Sequence, residues 1–162
     1  MIPNVLAGMP MPHVHLDRRL NKGGPLENFK DDLPALSAEG VRAVVCLLNI
    51  PSDEPVYHSA GFEFLCVPLA DGAPPLMAQA LDFVVFVDAC QARKQPVAVH
   101  CQGGLNRTAT MLATYLIAQG DDAATALTKV RAAEPRPSET PRQLEFLMEF
   151  EREIGSKRDR SS

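Results

Sequence analysis

Residues 97–120 constrain this chain more than any other stretch. Val97-Ala98-Val99-His100-Cys101 is a short β-rich run entered through Pro96, and Gly103 and Gly104 follow it at once. Residues 108–118 then place Met111, Leu112, Tyr115 and Leu116 on one helical face, and Gly120 stops them. A buried strand that turns within a few residues into a helix is half of a βα unit. Such a unit needs parallel neighbours and covering helices. Residues 41–48, after Gly40, and residues 62–67 read as those neighbouring strands. Helices are expected over 26–38, broken or kinked at Pro34, and from Leu76 after Pro74-Pro75, where Ala80, Phe83, Val84 and Val87 share a face. Two more follow, over 121–133, opened by two carboxylates, and over 140–154, with Leu144, Leu147, Phe150 and Ile154 on one side. The alternation implies an α/β fold: one domain over residues 1–154, with a central, mainly parallel sheet flanked by helices on both sides. A flexible polar tail is expected at 155–162. Ligands bind such sheets at the carboxyl ends of strands, which directs attention to the turn after Cys101.

Composition narrows the class. The chain has 162 residues, one domain's worth, and its 46% apolar and 22% charged content excludes intrinsic disorder as the main state. Sixteen Lys and Arg against twenty Asp and Glu give a net charge of −4, without the electrostatic footprint of a nucleic-acid binder. No apolar run approaches the roughly 20 residues of a membrane span. The opening 12 residues lack a basic lead and are interrupted by Pro3, Pro10 and Pro12, so no secretory leader is expected. Cys46, Cys66, Cys90 and Cys101 are widely spaced with no C-x-x-C pair, which favours free thiols in a reducing cytoplasm over a disulfide framework.

The turn His100-Cys101-Gln102-Gly103-Gly104-Leu105-Asn106-Arg107-Thr108 carries the chemistry. Successive amides from Gln102 to Arg107 can converge into an anion nest, with Gly103 and Gly104 supplying positive φ where it is needed. The helix that follows adds its own unpaired N–H groups and the positive end of its dipole. A cation at a helix start opposes that dipole, and Arg107 makes sense there when an anion lies between them, held by the planar guanidinium fork. Beneath such a field, a cysteine's pKa falls from about 8.5 to roughly 3.5–7.5, and the resulting thiolate is a nucleophile aimed at a bound phosphoryl group. The plainer reading of Cys101 is a buried strand cysteine.

The Cys101-x5-Arg107 segment resembles the phosphate-binding loop of the cysteine-dependent protein tyrosine phosphatase superfamily, and its surroundings resemble the small, single-domain, atypical dual-specificity phosphatases. Residues 41–48, Val67-Pro68-Leu69-Ala70-Asp71 before Pro74-Pro75, and Arg136-Pro137-Ser138-Glu139-Thr140 before a closing helix extend the likeness over most of residues 35–150. The resemblance implies hydrolysis of phosphate monoesters, on protein phosphotyrosine and on phosphoserine or phosphothreonine, through a cysteinyl-phosphate and without a metal or other cofactor. It implies Asp71 as the general acid, although Asp71-Gly72 is also a good turn by itself. Asp82 and Asp88 fall inside an expected helix. It further implies that Thr108 assists departure of the sulfur, that His100 organises the loop and helps set the thiolate, and that Gln143 positions water. Ala109 and Asn106 stand where many relatives have glycine. The Asn-Arg-Thr ending also resembles RNA 5′-triphosphatases of the same superfamily, and a phosphoinositide is a further possible substrate. The expected partner is a phosphorylated protein or a small phosphate monoester, with no membrane and with nucleic acid disfavoured.

Two readings from other classes compete. His13-Val14-His15-Leu16-Asp17 places two imidazoles at metal-ligand spacing, although His58 and His100 are the only further histidines. A phosphatase fold that only captures phosphorylated partners is the other. The presence of Cys101, Arg107 and Asp71 together speaks against it. Cys46 and Cys66 are candidate resolving thiols should Cys101 oxidise, though each also reads as a buried structural cysteine.

Overall fold

The structure is a computed structural model that describes residues 5–12, 29–50, 53–136 and 139–161. Its elements are β1 Leu6–Met9, α1 Phe29–Ala38, β2 Ala43–Cys46, α2 Glu54–Ser59, β3 Glu63–Cys66, α3 Met77–Ala92, β4 Val97–His100, α4 Asn106–Gln119, α5 Ala123–Ala133 and α6 Pro141–Ser161. The four strands are parallel, in the order β1-β4-β2-β3. Central β4 is buried at every residue, which is why its first three residues are continuously apolar rather than alternating.

Alternation along the strands divides the core in two. Val45 and Val99 point to one face, where Phe83, Met111, Leu147 and Phe150 cover them from α3, α4 and α6. Val44 and Ala98 point to the other, against Leu33, Tyr57 and Phe62. Helices therefore flank a fully parallel sheet on both sides. The nearly all-round burial of α4 follows from its position, since it packs on β1, β4, α3, α5 and α6. Two of its buried threonines, Thr110 and Thr114, satisfy their hydroxyls on carbonyls four residues back. Gly120 ends the helix in the left-handed region at φ 118°, as expected.

Three elements depart from the sequence reading. The strand β1 was not expected, because Leu-Ala-Gly-Met is short and poor in β-formers. It exists through its partners: it pairs with β4, and Gly8 lets α4 approach so closely that a Cβ would fall 2.8 Å from both Thr108 Cγ2 and Leu112 Cδ1. The six-residue α2 was not expected either. The third departure is the length of α6, which runs through Gly155 to Ser161 where the expected helix stopped at residue 154. A helical glycine costs only about 1 kcal/mol, and no proline follows. Pro34 lies inside α1 without ending it.

Candidate active site

The loop between β4 and α4 forms the floor of a cavity of about 280 Å³, lined by Asp71 and by every residue from Cys101 to Arg107 except Gly104. Gly104 turns the loop at φ +71°, and its missing side chain lets the loop lie against the end of β1. A Cβ there would sit 2.5–2.6 Å from the Pro10 nitrogen and the Met9 carbonyl group. Gly103, by contrast, has open space around it and no positive φ, so only one of the two glycines is needed for backbone geometry. The Met11 amide also donates to the Gln102 carbonyl at 3.3 Å. The N-terminal strand is thus the loop's foundation.

Cys101 is buried, and the Thr108 hydroxyl donates to its sulfur at 3.2 Å. Burial pushes the thiol up. The Thr108 hydroxyl and amide, the Gly104 amide and the Arg107 charge act in the opposite sense and outweigh it, leaving Cys101 below its ordinary pKa. Cys46 moves the other way. Burial pushes it up to about 12, and burial raises Cys66 as well. These two sit in register on β2 and β3, both directed at the Leu48 carbonyl.

His100 is wholly buried, and burial lowers its pKa to about 4, so the ring is neutral at neutral pH. Its Nδ1 lies 3.4 Å from the Cys101 carbonyl, which only accepts, so Nδ1 carries the proton and Nε2 accepts from the Tyr57 hydroxyl at 3.1 Å. The histidine is joined to the loop through the Cys101 carbonyl, and positive charge near the thiol comes from Arg107. Tyr57, stacked on Phe64 at 4.8 Å, was missed in the sequence because its partner lies 43 residues away.

Arg107 is 7% exposed in the first turn of α4. Its Nη1 donates to the Leu69 carbonyl at 3.2 Å, and its Nη2 lies 3.4 Å from Asp71 Oδ1. Its Nε is buried with no hydrogen-bond partner among the described residues. Asp71 stands over the cavity on a turn with its side chain 85% exposed. Gln143 is fully buried. Its Nε2 donates to the Ala73 carbonyl at 3.1 Å and to Asn106 Oδ1 at 2.7 Å, while its Oε1 accepts from the Thr140 amide at 2.9 Å. Thr140, another residue the sequence did not single out, donates from Oγ1 to the Gly72 carbonyl at 2.8 Å. The structure therefore gathers Asp71, the 101–107 loop, Thr108, His100 and Gln143 at one end of the sheet.

Among the described residues no group of three or more His, Cys, Asp and Glu is placed to hold a metal ion. The His13-x-His15 pair and Asp17 lie outside the described residues. Among the described residues, too, no helix is long and apolar enough to cross a membrane.

Comparison with known proteins agrees with this geometry. A family model described as "Polymorphic toxin system, DSP-PTPase phosphatase" matches residues 21–121. Dual specificity protein phosphatase OPG106 of vaccinia virus (strain Western Reserve) is 30% identical over 98 residues, covering 60% of this chain and 56% of that protein. Human dual specificity protein phosphatase 4 is 31% identical over 83 residues, 51% of this chain and 20% of that one. The chain thus spans little more than half the length of the curated relatives, or less. Among solved structures, PTPMT1 in complex with PI(5)P superposes with a TM-score of 0.77 at 27% identity, covering 96% of both chains. Tk-PTP in the active form gives 0.71 at 25% identity, covering 94% of this chain and 99% of that one.

Proposed function

The chain belongs to the DSP-PTPase phosphatase family of polymorphic toxin systems, whose model spans more than half of it, and on that premise we propose that it hydrolyses phosphate monoesters through a cysteinyl-phosphate. The observation that carries the proposal is Arg107 Nε, a buried donor without a partner among the described residues, beside a thiol of lowered pKa. A buried unsatisfied donor costs about 1–3 kcal/mol. A phosphate seated over Cys101 would take that bond, receive the loop amides and place phosphorus in line with the sulfur.

The first step forms the Cys101 S–P bond and breaks the ester P–O bond. Asp71 gives its proton to the departing oxygen, and Arg107 with the loop amides holds the equatorial oxygens. In the second step water attacks phosphorus and Asp71 takes its proton. The S–P bond breaks, and the thiolate leaves into the Thr108 hydroxyl bond. The products are an alcohol or phenol and inorganic phosphate, and the cysteine is regenerated. The Arg107 charge and the amide dipoles are what stabilise the phosphoryl oxygens in both steps.

The substrates proposed are phosphorylated side chains of proteins, tyrosine and serine or threonine, in a reducing cytoplasm where Cys101 stays a thiol. A phosphoinositide headgroup is the second reading. It rests on the PTPMT1 structure, which was solved with PI(5)P and matches this chain over nearly its full length. The test is hydrolysis of an aryl phosphate in EDTA by the native protein and by Cys101→Ser. Turnover that survives EDTA and vanishes in the variant supports the reading. Turnover lost to EDTA points back to the His13/His15 metal site, and turnover retained by Cys101→Ser excludes the thiol.

A further inference from the structure

The hydrogen bonds of Gln143 fix what its side chain can do. The Thr140 amide can only donate, so Oε1 faces it; the Ala73 carbonyl can only accept, so Nε2 faces that. The second Nε2 hydrogen goes to Asn106 Oδ1. Both N–H donors are spent, and the side chain is fully buried. Nothing is left to donate to a water at the cysteinyl-phosphate.

What the residue does instead is join three pieces of chain. Thr140 and Gln143 form a capping box at the start of α6: Oε1 accepts from the Thr140 amide, and the Gln143 amide donates to Thr140 Oγ1 at 3.3 Å. Pro141 follows Thr140 at the first helical position, further stiffening this start. From that rigid point Thr140 holds the Gly72 carbonyl, while Gln143 holds the Ala73 carbonyl and the Asn106 side chain in the phosphate loop. Upstream, Arg107 holds the Leu69 carbonyl. Asp71, with its side chain largely in solvent and only one contact to Arg107, is therefore placed by bonds to the backbone on both sides of it.

We infer that Gln143 is a positioning residue for the general acid, setting Asp71 at a fixed height above the phosphate loop, and that it does not place the hydrolytic water. The inference rests on the phosphatase reading above. Gln143→Glu isolates the bond concerned. A carboxylate keeps the cap through one oxygen and lets Asn106 turn its amide to donate, but it sets an acceptor against the Ala73 carbonyl.

The experiment measures kcat and kcat/KM for a series of phosphate monoesters whose leaving groups range from activated phenols to alkyl alcohols, with the pre-steady-state release of phenol followed in the same enzyme. Positioning of the acid predicts a loss of about 10- to 100-fold for poor leaving groups, part of the 10²–10⁴ that general acid catalysis supplies. Activated phenols should lose less than about threefold in kcat/KM, which reports the first step; their kcat falls further to the extent that Asp71 also takes the water's proton. A uniform loss across the series would overturn the inference. So would an unchanged kcat/KM across the whole series with slow turnover after a burst of one equivalent of phenol, which marks a defect in the water step alone. Thr140→Val removes only the hydroxyl contacts to Gly72 and Gln143, and it should steepen the leaving-group dependence in the same direction. It keeps the question open to test if Gln143→Glu melts well below the native protein. An inactive native protein, or activity in Cys101→Ser, defeats the phosphatase reading itself and is told apart because it does not involve Gln143.

Discussion

The adjacent glycines of the loop after β4 should respond very unequally to the same substitution. At Gly104 an added Cβ must adopt φ +71° and sit 2.5–2.6 Å from the Met9–Pro10 backbone. Left-handed geometry costs a non-glycine residue about 1–2 kcal/mol. Overpacking against a backbone that cannot rotate away costs about 1–3 kcal/mol more. Gly104→Ala should therefore lose about 2–5 kcal/mol. For a domain of this size each kcal/mol moves Tm by roughly 2–4 °C, so the melting point should fall by about 4–20 °C. At Gly103 a Cβ meets nothing within 4 Å, and φ is not positive. Gly103→Ala should stay within about 0.5 kcal/mol of the native protein, as ordinary surface substitutions do. The assay is urea denaturation and thermal melting of the two variants beside the native protein, with inorganic phosphate titrated as ligand. Phosphate should stabilise Gly103→Ala and stabilise Gly104→Ala much less, because the displaced amides no longer converge. Equal melting points, or a Gly103→Ala variant less stable than Gly104→Ala, would refute the account of how β1 supports the loop.

Asp71→Asn should slow the pre-steady-state release of poor leaving groups by about 10²–10⁴-fold and spare that of activated ones; equal losses of that first-step rate across a leaving-group series would remove Asp71 from the acid role. His100 is held neutral in the fold, with a pKa of about 4 against an ordinary 6.5. The unfolded chain binds the extra proton between those values, so this stability is whole above pH 6.5 and drains as pH falls to 4, by about 3 kcal/mol. Urea melts across that window should show the decline, and His100→Gln should flatten it. Gly8→Ala should destabilise the protein by about 1–3 kcal/mol, since its Cβ meets Thr108 Cγ2 and Leu112 Cδ1 at 2.8 Å. Adding Thr108→Ser, which removes that methyl and keeps the hydroxyl, should recover part of the loss in a denaturation cycle, and strictly additive losses would contradict the contact.

Much of the fold was legible because its signals are local. The β-rich runs around Val44, Phe64 and Val99, the glycine stop at Gly120, the aspartates before α5 and the apolar face of α6 are each written within a few residues. The parallel sheet and two-sided helix cover follow from their alternation. The side chain of Asp122 accepts from the Thr125 amide at 2.6 Å, as carboxylates at a helix start should. The loop from Cys101 to Thr108 was equally legible, since cysteine, glycines, guanidinium and helix start share one turn of chain.

Everything that arranges the loop's neighbours was hidden. The strand β1 has weak intrinsic preference, and it is held by pairing with a strand some 90 residues later and by a helix packed on Gly8. Tyr57 finds His100, Thr140 finds Gly72 and Gln143 finds both Ala73 and Asn106 across 37 to 70 residues. Gln143 in the sequence is an ordinary helix-start glutamine; buried between two loops, the same amide has no free donor. The cysteine and the loop proposed to cradle a phosphate are adjacent residues, so their order in the chain already specifies them. The placement of Asp71, the neutral histidine and the foundation under Gly104 depend on which distant groups burial brings together, and no local spacing encodes that.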